Sequence, residues 1–285
     1  MNSRIKIAES YEEEWLEVER PQPLIDNWLE SLTKNVVTKS ITKDTSDQVY
    51  ADFQNKFTNW ILDSKLNRLS GLNSFPRTDI IIGCTQLIDN LYMQGPVQVL
   101  SGDYKYHERL NLAKFSIVGK LENNLPMIIS LPFPKVGSIH DQMDNILNEA
   151  EEKNIDVHID GAWISSSRNI NFDFSHPAIK SVGMSCSKGL GLGWNRIGLR
   201  WSKLSKPDSI SIMNDFHMNN RALAIIGLYF LQNVSPDYLW KTHGDNYKKL
   251  CKHFNLTETD TIHIAIKQGR PVGVSPLLRY MENAY

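Results

Sequence analysis

Along residues 78–201, short runs of β-branched and apolar residues alternate with stretches whose apolar residues recur at helical spacing. Residues 97–100, 127–131, 155–160, 179–184 and 197–201 read as strands. Ile80-Ile81-Ile82 reads either as another strand or as the lead into Gly83-Cys84-Thr85. Between the strands, Leu87, Ile88, Leu91 and Tyr92 share a helical face that stops at Gly95-Pro96. Residues 104–115 read as a helix, and residues 141–153 turn Met143, Ile146, Leu147 and Ala150 to one side. Parallel strands need long crossovers, and helices in those crossovers cover both faces of the sheet. The alternation therefore predicts an α/β fold: a three-layer αβα sandwich about a mainly parallel sheet, whose ligands bind beyond the carboxyl ends of the strands.

The flanks follow other patterns. Residues 1–45 read as an N-terminal helical segment: Ser10 caps a short acidic helix ending at Pro21, a second short helix covers 24–32, and the polar stretch 38–47 is a loop. A helix with Phe53, Phe57, Trp60 and Ile61 on one face opens the large domain, residues 46–205. After Pro207 helices dominate (218–232 and 236–254), followed by a strand over 261–266 and a Gly/Pro-containing tail. Residues 206–285 are expected to form a reduced C-terminal lobe. A chain of 285 residues can bury cores of this extent. The net charge of −1 leaves no electrostatic footprint for nucleic acid or an anionic membrane. No apolar run is long enough to span a bilayer. Cys84, Cys186 and Cys251 are odd in number and widely spaced, which suits reduced thiols in a cytoplasmic protein rather than a disulfide frame or a zinc site.

The chemistry concentrates in Ser185-Cys186-Ser187-Lys188, followed eight residues after the lysine by Arg196 and then Gly198. A lysine among small residues on a glycine-rich turn suits Schiff-base formation, and an arginine close behind it can hold a phosphate. Together they point to pyridoxal phosphate. That cofactor also needs an acid at its pyridine nitrogen, donors for its phosphate, and a flat side chain over its ring. Asp160, emerging from an apolar strand before Gly161-Ala162-Trp163, supplies the acid, although an aspartate capping a turn reads the same way. Pairing it with His158 as metal ligands is the weaker reading, because no third ligand stands at useful spacing. Gly83-Cys84-Thr85 opens a helix with free N–H groups and a hydroxyl, the pattern of an anion site and equally of an ordinary N-cap. Ser185, Ser187 and Arg196 would complete the phosphate shell. Tyr104, in Gly102-Asp103-Tyr104-Lys105-Tyr106-His107, follows a strand and either covers the ring or packs half-buried; His107 is a weaker candidate nearby.

Taken together these residues resemble the fold-type I pyridoxal-phosphate enzymes, most closely the class I/II aminotransferase-like group. That family's Gly-x-Thr-like helix start, aromatic stacker and Asp-x-Ala-Tyr strand end correspond to Gly83 to Thr85, Tyr104 and Asp160 to Trp163. Its Ser-x-Ser-Lys turn and following Arg-x-Gly correspond to Ser185 to Lys188 and Arg196-Ile197-Gly198. The likeness covers residues 50–205 well and the remainder loosely. It implies that Lys188 is the Schiff-base lysine, Asp160 the partner of the pyridine nitrogen and Tyr104 the stacker. It also implies that Arg196, Ser185, Ser187, Thr85 and the Cys84 backbone N–H hold the phosphate, in a homodimer with sites at the subunit interface. Three departures stand out. Trp163 replaces a tyrosine whose phenol bonds the cofactor's ring oxygen, and Pro132-Phe133-Pro134 replaces an Asn-Pro segment that gives a second such bond. Losing both should raise the imine pKa. The C-terminal lobe is also shorter than the family's small domain, leaving Arg270 and Arg279 as the candidates for a substrate carboxylate.

The expected function is therefore a pyridoxal-phosphate-dependent aminotransferase acting on an amino acid or related primary amine. A decarboxylase or lyase would use the same cofactor contacts. A degenerate relative kept for binding or regulation would explain the short lobe and the lost ring-oxygen donors, but retention of Lys188, Asp160 and Arg196 together argues against it.

Overall fold

The computed structural model describes residues 23–42, 46–204 and 206–283. Two helices, α1 (Asn27–Thr42) and α2 (Gln48–Leu62), and a short strand, β1 (Arg68–Ser70), precede the alternating region. That region begins β2 (Arg77–Ile81), α3 (Cys84–Gln94), β3 (Val97–Leu100), α4 (Tyr106–Leu110) and β4 (Ala113–Ser116). It continues β5 (Met127–Ser130), α5 (Met143–Glu152), β6 (Val157–Asp160), β7 (Asn171–Asp173), β8 (Ile179–Ser185), α6 (Cys186–Gly189) and β9 (Gly198–Ser202). The chain then runs through α7 (Ser209–Asp215), α8 (Arg221–Asn233), α9 (Tyr238–His253), β10 (Ile264–Lys267), β11 (Arg270–Gly273) and α10 (Ser275–Asn283).

Seven strands form one sheet in the order β2-β9-β8-β6-β5-β3-β4, and only β9 runs against the others. Side chains alternate across a strand, and this alternation builds the layers. Val97, Val99 and Ile128 pack with Leu87, Ile88 and Leu91 of α3 on one face. Met127 and Ile129, flanking Ile128, join Met143, Ile146 and Leu147 of α5 and the aromatic side chains of α2 on the other. On that second face Trp201 of β9 lies 6.0 Å from Phe57, and its indole N–H reaches Thr58 at 3.2 Å. The architecture is the expected αβα sandwich with a mainly parallel sheet.

The opposite face of β9 carries a buried charge. Arg200, 1% exposed, donates to Asp79 of β2 at 2.6 and 3.2 Å and to Asp208 at 3.0 Å, with a second bond to Asp208 through Nη1. Asp208 also caps α7 by accepting the Ser211 amide at 2.9 Å. Burial pushes the Asp208 carboxyl up, but the hydrogen bonds from Arg200 and Ser211 outweigh it and hold the group at about 2. Along the outer edge of β2, the Asn214 carboxamide accepts the Ile80 amide at 2.7 Å and donates to the Ile80 carbonyl at 3.0 Å. It takes the place of a neighbouring strand and blocks edge pairing there.

Several elements differ from the sequence expectation. The helix capped by Ser10 lies outside the described residues. The second short helix is α1, which continues to Thr42 through part of the expected loop and packs against α8. The helix expected over 104–115 shrinks to α4. Asn111 takes a left-handed conformation (φ 52°), and the chain beyond it pairs in parallel with β3 as β4. The helix α7, the hairpin partner β11 and the terminal α10 stand where loop or tail was expected.

Replacing Arg200 by Met would leave Asp79 and Asp208 buried without their cation. Such uncompensated burial costs about 3–5 kcal/mol. Urea unfolding of Arg200→Met should lose that amount, and an unchanged midpoint would refute the network's part in holding β2, β9 and α7 together.

Candidate active site

Because β9 alone is reversed, the carboxyl ends of β2, β3, β5, β6 and β8 open on the same edge of the sheet as the amino end of β9. Ser130, Asp160 and Gly183 lie in register there, as do Ser185, Gly198 and Ile81. The chain leaves β8 at Ser185, forms the single turn α6 that carries Lys188, and returns as β9 at Gly198. A Cβ at Gly198 would collide with the Met184 carbonyl, so glycine is what lets the two strands pair. Their pairing sets Arg196 against the start of α3. Its Nε donates to the Ile82 carbonyl at 2.9 Å and its Nη2 to the Thr85 hydroxyl at 2.7 Å. Gly83, with φ 99°, makes room for the guanidinium: a Cβ would stand 2.7 Å from Nη2. Thr85 and Arg196 line a cavity of about 290 Å³ together with Ile82, Gln86, Asp89, Tyr104 and Tyr106.

Asp160 ends β6 and is 5% exposed. Its carboxylate accepts the Ala162 amide at 3.0 Å and the Cys84 thiol. Burial pushes its pKa up, and these two bonds oppose the shift. Cys84, the first residue of α3, also bonds Ser185, so it links the helix start, the acid and the end of β8. Burial, then the Asp160 charge, push its thiol well above the ordinary range, which makes it an inert donor rather than a nucleophile. The Ser187 hydroxyl is buried with no hydrogen-bond partner among the described residues. Lys188, next to it, is half-buried. Burial, then the charge of Lys188, keep the buried His263 imidazole neutral, while its Nε2 accepts the Leu24 amide at 3.3 Å.

Tyr104 is half-buried and stacks on Tyr106 with ring centroids 5.8 Å apart and planes inclined by 22°. Its backbone is held by Asp103, 6% exposed, which accepts the Tyr104 amide at 2.6 Å, the Ser130 amide at 3.0 Å and the Ser130 hydroxyl. Asp103 thereby ties the turn after β3 to the end of β5, one strand from Asp160. Burial pushes its carboxyl up to about 6 in spite of those bonds. His107 is buried and neutral: burial lowers it to about 4, its Nδ1 meets the Tyr92 hydroxyl at 2.9 Å, and its Nε2 has no partner among the described residues.

The structure thus gathers Cys84, Thr85, Asp160, Ser185, Ser187, Lys188 and Arg196 at one sheet edge, with Tyr104 on the cavity wall. Trp163 is half-buried at the start of the 3₁₀ turn Ile164–Ser166, where its carbonyl accepts the Ser166 and Ser167 hydroxyls at 2.9 and 2.7 Å. Arg270 and Arg279 do not join this group: both are exposed, neither lines the cavity, and Arg279 lies within electrostatic reach of Glu30 on α1. His158 is spent on the Ser181 hydroxyl at 2.7 Å, and no three His, Cys, Asp or Glu among the described residues are arranged to hold a metal. A larger recess of about 660 Å³ lies at the other end of β2, where Arg77 pairs with Asp215 and the His217 ring meets Asp47 at 2.9 Å. Sequence reasoning missed Asp103, Ser130, Tyr106, Asp89 and His263. Only Asp103 carried a local signal, in the Gly-Asp turn before Tyr104.

Asp103 gives a measurable pH effect. Its folded pKa lies about two units above the ordinary 3.8, so the folded state binds more protons between pH 4 and 6 and loses stability as pH rises through that window. At about 1.4 kcal/mol per unit the loss approaches 3 kcal/mol. The stability of wild type minus that of Asp103→Asn, from urea unfolding, should fall by this order between pH 4 and 7. A constant difference would remove Asp103 as the titrating group.

No family model matches the sequence, and no curated protein matches it significantly. Solved structures do match. A PLP-bound putative aminotransferase from Clostridium difficile superposes with a TM-score of 0.68 at 10% identity, covering 99% of this chain and 95% of that one. Alanine aminotransferase from Pyrococcus furiosus gives 0.65 at 13% identity, covering 93% and 80%. A PLP-bound C-S lyase from Staphylococcus hominis gives 0.63 at 11% identity, covering 90% and 77%. At such identities the likeness is one of architecture, and the chain has the fold of the fold-type I pyridoxal-phosphate-dependent enzymes.

Proposed function

We propose that this protein is a pyridoxal-phosphate-dependent enzyme acting on an amino acid or related primary amine, and that it is an aminotransferase. The observation that carries the reading is the convergence of a half-buried lysine, a buried acid and an arginine–hydroxyl–helix-start corner on one sheet edge. The donor set fits the cofactor. Ser187 offers a buried hydroxyl with no partner among the described residues, the Arg196 guanidinium bonds the Ile82 carbonyl and Thr85 through Nε and Nη2, and Gly83 clears the space before them.

When bound, the cofactor supplies an aldehyde carbon that condenses with amines and a ring that takes up the electron pair released at the substrate α-carbon. Arg196, Ser185, Ser187, Thr85 and the Cys84 amide would bind its phosphate. Asp160 would hold a proton at the pyridine nitrogen, its oxygens oriented by the Ala162 amide and the Cys84 thiol. Lys188 is the amine that would anchor the cofactor. Once displaced by the substrate amine, its Nζ would take the α-proton and hold it for redelivery. Tyr104 would flank the ring. We extend the proposal to a homodimer: Trp194, 88% exposed, and Ile82, 50% exposed, flank Arg196 in sequence and in space, an apolar surface suited to a second copy.

Two tests follow. Mixed with pyridoxal phosphate, the purified chain should absorb in the visible, and borohydride should fix the cofactor on the peptide containing Lys188. Attachment elsewhere, or undiminished attachment in Lys188→Ala, would overturn the lysine assignment. Amine donors with 2-oxo acid acceptors should then yield new amino acids; ammonia or carbon dioxide release without amino transfer favours a lyase or decarboxylase, a reading to which the similarity with a C-S lyase lends weight. Sedimentation should give twice the 32.6 kDa chain mass, and a species at the single-chain mass would dismiss the dimer.

A further inference from the structure

The cavity that Arg196 lines also contains a group that does not belong in an anion site. Asp89 lies four residues after Thr85 on α3, hence on the same helix face, and its carboxylate lines the same cavity. Its Oδ1 accepts the Tyr106 hydroxyl at 2.7 Å. Tyr106 is the first residue of α4 and also lines the cavity, its ring steadied by the stack against Tyr104. The phenol therefore bonds a carboxylate of the same cavity wall that Arg196 and Thr85 line, with one proton to give.

We propose that the Tyr106 hydroxyl is a further ligand of the phosphate group that this cavity takes, and that Asp89 competes with the phosphate for it. This rests on the cofactor reading above. A phosphate beside Arg196 is a stronger acceptor than a carboxylate already exposed to water, so the phenol turns from Asp89 to the ligand. Asp89 then faces the phosphate as an unshielded like charge, and the hold on the ligand is weaker than the donor set alone would give. The hydrogen bond to Asp89 already pushes the phenol up to about 12, so Tyr106 stays protonated and a donor throughout the neutral range. Asp89 is exposed and makes no other hydrogen bond among the described residues, so its replacement leaves the core untouched.

The test compares the affinity of the full chain for pyridoxal phosphate and for pyridoxal, which lacks the phosphate, by absorbance and fluorescence titration. Asp89→Asn should tighten pyridoxal phosphate about tenfold and Tyr106→Phe should weaken it about tenfold, the range expected for one charge-assisted bond. Pyridoxal affinity should move in neither variant. In the double variant the gain from Asp89→Asn should shrink, because the contested proton is gone. Equal changes for both ligands, or no change in either variant while wild type still prefers the phosphorylated ligand, would overturn the assignment and leave the cofactor reading standing. A wild type that binds pyridoxal as tightly as its phosphate, or binds neither, would instead bring down the phosphate reading and the inference with it. Should Tyr106→Phe fail to fold, the Asp89→Asn comparison of the two ligands decides alone: selective tightening supports the proposal, and its absence overturns it.

Discussion

At Gly198 the chain re-enters the sheet antiparallel to β8, its backbone pressed against the Met184 carbonyl so closely that no side chain fits. A parallel crossover after β8 would have carried the following residues to the opposite end of the sheet before they paired. The immediate return keeps residues 185–198 at the edge where the other strands finish. Lys188 and Arg196 are neighbours for this reason, and their separation in sequence is the length of the turn that reverses the chain. Arg196 in turn reaches across β2 to the Ile82 carbonyl and Thr85, so the same reversal fixes the start of α3. The buried pairing of Arg200 with Asp79 and Asp208 holds the middle of β9 against β2. One antiparallel strand is thus clamped at its centre by charge and at its start by close backbone contact.

Two buried acids, Asp103 after β3 and Asp160 at the end of β6, lie on either side of β5 and are treated differently. Asp103 is enclosed by donors from its own turn and from Ser130, which use both oxygens to join two segments. Asp160 has one backbone donor and one weak thiol donor, and its carboxylate keeps capacity for another proton. Burial raises both carboxyls against the bonds each accepts. The first is a structural tie, and the second is the acid that the proposed reading sets beside a cationic partner. An acid that is costly to bury alone and cheap to bury beside a cation makes ligand binding and local stability the same event.

How much of this was legible in the sequence follows from which forces act locally. The strands that became β3, β5, β6, β8 and β9 are nearly continuous apolar runs because helices bury them on both faces, and such runs are plain in a single sequence. The site residues at their ends were readable for the same reason: they stand where the apolar run stops. The helix expected over 104–115 failed because β4 is an edge strand whose Lys114 and Phe115 are exposed, so it lacks the apolar run that marks the interior strands. Asp89, Tyr106 and His263 could not be singled out, since each joins the site through a partner distant in sequence. Arg270 and Arg279 were chosen for residue type alone, and tertiary structure put them on the surface.

Phe133 and Trp163, two of the departures from the aminotransferase-like sequence pattern, are held by their own local structure. Phe133 is 1% exposed, wedged edge-on against His140 with ring centroids 4.7 Å apart. Its backbone closes a tight turn, its N–H donating to the Ser138 carbonyl at 2.7 Å and its carbonyl accepting the Gly137 amide at 2.8 Å. A polar side chain at that position would be buried against apolar neighbours, at a cost of several kcal/mol without a partner, about the size of the bond it could offer a ligand. Trp163 likewise spends its carbonyl on Ser166 and Ser167 and brings an indole N–H in place of a phenol. An indole can donate but cannot ionise, so it cannot tune a neighbouring proton as a phenol does. Under the proposed cofactor reading, control over protonation there would fall to Lys188, whose charge, together with burial, keeps the His263 imidazole neutral.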